Sequence, residues 1–119
     1  MDNVIELRYN NDTGRKEAIT RFLIVFFKTE SLHRLVHPLL HSIMNGLPLI
    51  STTPRLSSLA LEALGELSQV VKEEIKPWLH ALLPLVMESM IDQSSANRQR
   101  TSMKTLGQIA DNTNYVIGG

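Results

Sequence analysis

Apolar residues recur three and four apart along most of this chain, and short polar joints separate the runs. Residues 1 to 12 open with Val4, Ile5 and Leu7 and turn polar at Asn10-Asn11-Asp12, which predicts a helix tail followed by a turn. Asp12 or Thr13 is suited to cap a helix from about Arg15 to Lys28, with Ala18, Ile19, Phe22, Leu23, Val25 and Phe26 as its apolar positions. The run from Phe22 to Phe27 is β-branched and aromatic enough to fit a strand, although its length and flanks favour helix.

Thr29-Glu30-Ser31 is the next joint, with Ser31 as a candidate cap. A helix from Leu32 to about Leu47 follows, carrying Leu35, Val36, Leu39, Leu40, Ile43, Met44 and Leu47, and Asn45-Gly46 and Pro48 weaken its end. After the loop Ser51-Thr52-Thr53, Pro54 fits the first turn of a helix running to about Val71, because the amide that proline lacks has no partner there anyway. Beyond Lys72-Glu73-Glu74, a helix presents Ile75, Trp78, Leu79, Leu82, Leu83, Val86, Met87 and Met90. Pro77 lies near its start, and Pro84 in its middle should bend it. The last helix runs from about Ala96 to Asp111. The reading is five or six helices and no strand, an all-α chain.

The chain then repeats itself. Leu64-Gly65-Glu66-Leu67 returns 42 positions later as Leu106-Gly107-Gln108-Ile109, and Ala18 to Phe22 falls under Ala60 to Leu64 at the same spacing. Val36 to Met44 matches Ile75 to Leu83 at a spacing of 39. A glycine inside a helix is disfavoured by roughly 1 kcal/mol relative to alanine. Its presence in two copies predicts close packing, with Gly65 and Gly107 marking the second helix of each unit where it faces the next hairpin. A two-helix unit recurring at roughly 40 to 47 residues is the mark of HEAT and armadillo solenoids, whose units bury their apolar faces only by stacking. The expected architecture is an α-solenoid of stacked helical hairpins wound into a right-handed superhelix. Residues 1–30 form a partial unit, 31–72 and 73–112 form two full ones, and 113–119 begin another.

Composition narrows the function. Hydrophobic residues make up 43% of the 119 positions, enough for a core. Lys plus Arg equals Asp plus Glu at 12 each, which argues against nucleic acid or an acidic membrane surface as the main partner. The absence of cysteine removes disulfides, zinc knuckles and thiol nucleophiles. The longest apolar run, Phe22 to Phe27, falls far short of the ~20 residues of a membrane span, and the N-terminal residues carry no secretory pattern. These features predict an intracellular protein.

Candidate chemistry is sparse. His33, His37 and His41 stand four apart on one helical ridge, and such imidazoles can grip a zinc ion, the basis of a metal-dependent enzyme reading. The plainer reading is an edge of the apolar face with partly solvated rings. Glu62 and Glu66 form an acid/base pair only if buried together, and otherwise a solvated face. Arg98, Arg100 and Lys104 make a small basic stripe for an acidic peptide or phosphate, or for pairing with the turn. Trp78 is an interface anchor or a core residue. Met87, Met90 and Met103 read as core filler before they read as a peptide groove.

Pro84, Asp92 and Arg98 resemble the HEAT motif, in which a proline in the first helix is followed eight residues on by an aspartate at the turn and six further by a basic residue. Asn97 departs from the valine usual before the basic residue. The earlier unit lacks the set, with Asn45 in the proline's place and Ser51 or Thr52 in the aspartate's. The wording also resembles target-of-rapamycin (TOR) kinases, of the PI3K-related family. Leu64-Gly65-Glu66-Leu67-Ser68-Gln69-Val70, Lys76-Pro77-Trp78, Arg98-Gln99 leading to Thr105-Leu106-Gly107-Gln108, and Asn114-Tyr115-Val116 carry the likeness, well over residues 60–117 and loosely over 15–50. The resemblance implies a slice of the long N-terminal HEAT array of a serine/threonine kinase of nutrient and growth signalling. It implies a non-catalytic, cytoplasmic scaffold, peripheral on endomembranes where its complex is. The partners implied are a raptor-type adaptor or the second kinase subunit. No glycine-rich phosphate loop, His-Arg-Asp-type triplet or Asp-Phe-Gly-type motif is present, and nothing calls for a cofactor. A phosphatase scaffold or a nuclear transport receptor would use the same hairpins.

Overall fold

The computed structural model describes the backbone of residues 2–49 and 53–114, and the side chains of 14–49 and 53–114. Five α-helices account for most of it: α1 (Asp2–Lys28), α2 (His33–Gly46), α3 (Pro54–Val71), α4 (Lys76–Met90) and α5 (Ala96–Thr113). Single 3-10 turns at Glu30–Leu32 and Lys72–Ile75 lead into α2 and α4. Among the described residues there is no strand, so Phe22 to Phe27 resolves to helix.

The expected turn at Asn10-Asn11-Asp12 does not form, and α1 passes through it unbroken. Neither proline nor glycine occurs before Gly14 to interrupt the helix. Asp12 and Thr13 therefore start no helix. The break comes at Thr29, whose hydroxyl donates back to the Val25 carbonyl at 2.7 Å. Ser31 lies within the 3-10 turn and does not cap α2, which opens after Leu32 with no side-chain cap.

Later boundaries follow local chemistry. Pro54 is at the first turn of α3, after an extended Thr53. The Ser95 hydroxyl accepts the Arg98 amide at 3.2 Å and caps α5. α5 ends on Asn114 at φ 55, the left-handed conformation that asparagine tolerates. α3 ends on Lys72 at φ 51 and ψ −120, a conformation suited to glycine. Helix α4 continues through Pro84.

The helices lie in two layers. α3 is the centre of one row, with α1 packed on one side and α5 on the other. α2 meets α1 and α3, while α4 packs on α5. The core runs between the layers through Val36, Leu40 and Ile43 of α2, Ala60, Leu64 and Leu67 of α3, Leu79 and Val86 of α4, and Ile109 of α5. Fully burying one such large side chain is worth about 1.5–3 kcal/mol.

Helix α1 buries a different face from the one its apolar residues predict. Thr20, Ile24 and Phe27, at i, i+4 and i+7, are buried. Ile19, Phe22 and Val25 are 52%, 64% and 62% exposed. Leu23 and Phe26 lie between, packed against the core edge. The physical reason is position: α1 is the end of its row, and its apolar residues outnumber the places one neighbour can cover. Burial also fits a spacing of 41 better than 42 here, because 41 sets Thr20, Ile24 and Phe27 on the buried Leu61, Gly65 and Ser68.

Candidate functional site

The seam between α3 and α5 is built on Gly65. A Cβ at this position would overlap the Gln108 side-chain oxygen and stand 3.3 Å from the Thr105 hydroxyl. The space a methyl would take holds the end of the Gln108 side chain, beside the Thr105 hydroxyl that donates to the Leu61 carbonyl at 2.6 Å. Thr105 is buried, so this cross-helix bond is shielded from water. Gln108 also reaches Glu66 at 3.5 Å, a loose contact. Gly107, the matching residue on α5, is exposed, and a Cβ there would meet nothing within 4 Å. The sequence reading missed Thr105. Its trace was the polar stripe Ser102, Thr105 and Thr113 at helical spacing, all buried.

The turn between α4 and α5 is held by Asp92. One carboxylate oxygen accepts the Ser94 amide at 3.0 Å and the Ser94 hydroxyl at 2.6 Å. The other accepts Arg98 Nη1 at 2.6 Å. The Ser94 hydrogen bonds foremost, with Arg98 beside them, hold the Asp92 carboxyl below its ordinary pKa. Arg98 belongs to the same hairpin as Asp92, so this pair locks a turn and does not bridge units. Pro84 stands on the outer side of α4 and lines a groove with Met87, Met90, Ile91 and Leu106.

The histidine ridge does not converge. A His33 ring nitrogen donates to the Phe27 carbonyl at 2.6 Å, and His37 Nδ1 lies 2.8 Å from Glu74. His41 meets the Trp78 ring edge to face, with centroids 4.9 Å apart. Each imidazole thus has its own partner, and no group of three or more metal-ligating side chains comes together among the described residues. The metal-dependent enzyme reading loses its geometry. Trp78 itself is half-buried against the core and lines a groove of about 310 Å³ between α2 and α4 with Met44 and Leu47.

Glu62 and Glu66 are half-buried on α3, and Glu66 meets the Gln108 side-chain amide. Arg98 is committed to the turn, while Arg100 and Lys104 are exposed. The methionines depart from expectation: Met87 and Met103 are exposed, and only Met90 is partly covered. Met87 and Met103 are not core filler, and Met87 and Met90 instead line the groove with Pro84, Ile91 and Leu106. What the molecule presents is surface, with an exposed apolar stripe of Ile19, Phe22 and Val25 on α1 at one end of the row and a mostly polar face of α5 at the other.

Comparison with known proteins fits that picture. No protein-family model matches the chain, and no solved structure matches it. The relatives found are TOR serine/threonine kinases. The chain is 29% identical to the serine/threonine-protein kinase TOR2 of Saccharomyces cerevisiae over 120 aligned residues, covering 99% of this chain. It is 26% identical to tor1 of Schizosaccharomyces pombe over 115 residues, or 94% of the chain. A 57-residue match at 33% identity links it to the TOR kinase of Oryza sativa subsp. japonica. The chain spans about 5% of the length of the two yeast relatives, so it corresponds to a small segment of them. No helix among the described residues is long and apolar enough to cross a membrane.

Proposed function

We propose that this chain is a non-catalytic interaction segment from the N-terminal HEAT array of a TOR-type serine/threonine kinase. It would serve as a structural scaffold in nutrient and growth signalling in the cytoplasm, or on endomembranes within its complex. The observation that carries the reading is the α3–α5 seam. Two copies of one phrase, around Gly65 and Gly107, lie on adjacent parallel positions of a helix row, and the first glycine is filled by a residue of the second copy. Residues 31–72 and 73–112 would be two stacked hairpins of a right-handed superhelix, with 1–30 and 113–119 belonging to the flanking ones. Gly65 and Gly107 would set the spacing between hairpins, and Pro84, Asp92 and Arg98 the shape of one. Such a segment contributes geometry to an assembly and no reacting group. The partners that the resemblance implies are the raptor-type adaptor and the second kinase subunit.

The test uses the full-length kinase carrying a Gly65→Leu change in this segment. Co-purification of the adaptor or of the second kinase subunit should fall, while phosphorylation of a short soluble peptide persists. Loss of peptide phosphorylation with the assembly intact would place chemistry in these residues and overturn the reading.

A further inference from the structure

The two layers of helices are joined in different ways. In the α1–α3–α5 row, α3 and α5 pack along their length, and their seam is tied by a hydroxyl, a carbonyl and an amide, from Thr105, Leu61 and Gln108. None of these groups changes charge near neutral pH. In the other layer the backbones of α2 and α4 stay apart over most of their length and leave the groove of Met44, Leu47, Trp78 and Leu82 between them. Among the described residues, the hydrogen bond and the ring contact that cross from α2 to the next hairpin both come from histidines. His37 Nδ1 donates to the Glu74 carboxylate, in the turn before α4, at 2.8 Å. His41 meets Trp78 with ring centroids 4.9 Å apart. At i and i+4 the two imidazoles stand one turn apart on the same side of α2. The other charged groups nearby are placed elsewhere. Glu73 is engaged with Lys76 at 3.7 Å, and Lys72 and Arg34 are exposed. His33 is turned to the Phe27 carbonyl. His80, two residues beyond Trp78, lies about 200° away around α4.

We propose that His37 and His41 form a proton-operated clasp between the two hairpins, which closes the α2–α4 side as the solution acidifies while the α3–α5 seam stays fixed as its pivot. Histidine is the side chain that ordinarily gains charge between about pH 8 and about pH 5. At the alkaline end His37 offers Glu74 a neutral donor. At the acid end the same bond joins a cation to a carboxylate, and charge-assisted bonds are roughly twice as strong as neutral ones. An imidazolium at His41 is within the ~6 Å over which a cation is drawn to an indole ring. Both changes pull the same way, so the clasp is tighter in acid. His37 and Glu74 are partly exposed, at 43% and 53%, so solvent screens the pair and the response is graded. In a row of hairpins a small rotation at one joint re-aims every unit beyond it. The clasp rests on contacts within this chain and not on the assembly proposed above.

Trp78 is the one tryptophan of the 119-residue chain, so its emission reports this joint alone. Acrylamide, an uncharged quencher, is titrated against the chain at about pH 8 and about pH 5.5. Quenching of Trp78 should fall in acid, and that pH dependence should be lost when His37→Gln and His41→Gln are combined. His80→Gln should keep the parent's response. Urea unfolding of His37→Gln, Glu74→Gln and their double variant at both pH values isolates the pair. The coupling should change the unfolding constant by at least about twofold in acid, and by less at the alkaline pH. His37, His41, Glu74 and His80 are all exposed, so these variants keep the fold. Equal coupling at both pH values, quenching that is unchanged or rises in acid, or a pH response that survives in the double histidine variant overturns the proposal. So does a loss of helix by circular dichroism within this range, because the clasp needs both hairpins folded at each end of it.

Discussion

At a spacing of 41, Ile19, Phe22 and Phe26 of α1 stand where Ala60, Ala63 and Leu67 stand in α3. The three α3 residues are completely buried, while Ile19 and Phe22 are more than half exposed. The residues of α1 are the larger and more apolar set, so hydrophobicity does not explain the difference. Neighbours do. α3 has a helix on each side of it in the row, whereas α1 has one on its inner side only. Gly65 and Gly107 repeat the lesson at the other end of the row. The same residue in the same phrase is filled by Gln108 in α3 and faces open space in α5. Burial in a row of helices belongs to the position in the row as much as to the residue.

The most forceful way to break this comparison is to truncate one residue from each helix. Leu64→Ala in α3 should cost about 2–5 kcal/mol, because the cavity it leaves is enclosed on both sides. Phe22→Ala in α1 should stay within about 0.5 kcal/mol in the monomer. Urea denaturation of both variants measures this, and equal losses would mean that α1 is covered in solution. Next in size is the glycine pair. Gly65→Leu should destabilise by roughly 1–3 kcal/mol through overpacking against Thr105 and Gln108. Gly107→Leu should be neutral or better, and a matching loss at both positions would break the distinction between inner and outer helix.

Thr105→Val should cost about 1 kcal/mol, since it removes the donor to the Leu61 carbonyl while keeping the shape. Thermal melts of this variant and of Thr101→Val, where the hydroxyl is only partly covered, separate the bond from the side-chain type. Two replacements should stabilise. Gly107→Ala gains roughly 0.5–1 kcal/mol of helix propensity with no steric conflict. Lys72→Gly relieves a positive φ by up to about 1 kcal/mol, a gain partly offset because glycine also loosens the unfolded chain.

The smallest effect is electrostatic. The folded state holds the Asp92 carboxyl below its ordinary pKa, so it binds fewer protons than the unfolded chain as pH falls. Its contribution is present above the ordinary aspartate pKa, about 4, and is lost as pH drops through the lowered folded value. Asp92→Asn should flatten the acid limb of a stability-against-pH curve and leave the neutral region little changed. An unchanged acid limb would show that the turn does not depend on this charge.

Much of the fold is legible in local chemistry. α3 and α5 start at Pro54 and Ala96 where sequence places them, and Thr29 ends α1 as its polar joint suggests. The Asp92–Arg98 spacing is legible too, because a turn followed by the first turn of a helix brings such residues together over a short stretch of chain. The Thr105 bond to Leu61 joins residues 44 apart, and no local pattern aims a hydroxyl across that distance. The histidines show the converse. Their i, i+4 spacing is a true feature of α2, but the rings turn to the Phe27 carbonyl, Glu74 and Trp78, partners that other segments supply.

The sequence by itself determined the helices, most of their ends and the period that relates them, because capping, proline geometry and 3.6-residue spacing act within a few turns of chain. Tertiary structure alone decided which apolar residues are core. Phe22 and Ala63 carry the same kind of signal in their own helices, and only the presence of a second neighbour in the row removes one of them from water. The same physics makes Gly65 a contact and Gly107 an opening, since a missing Cβ matters only where another helix comes close enough to need the space.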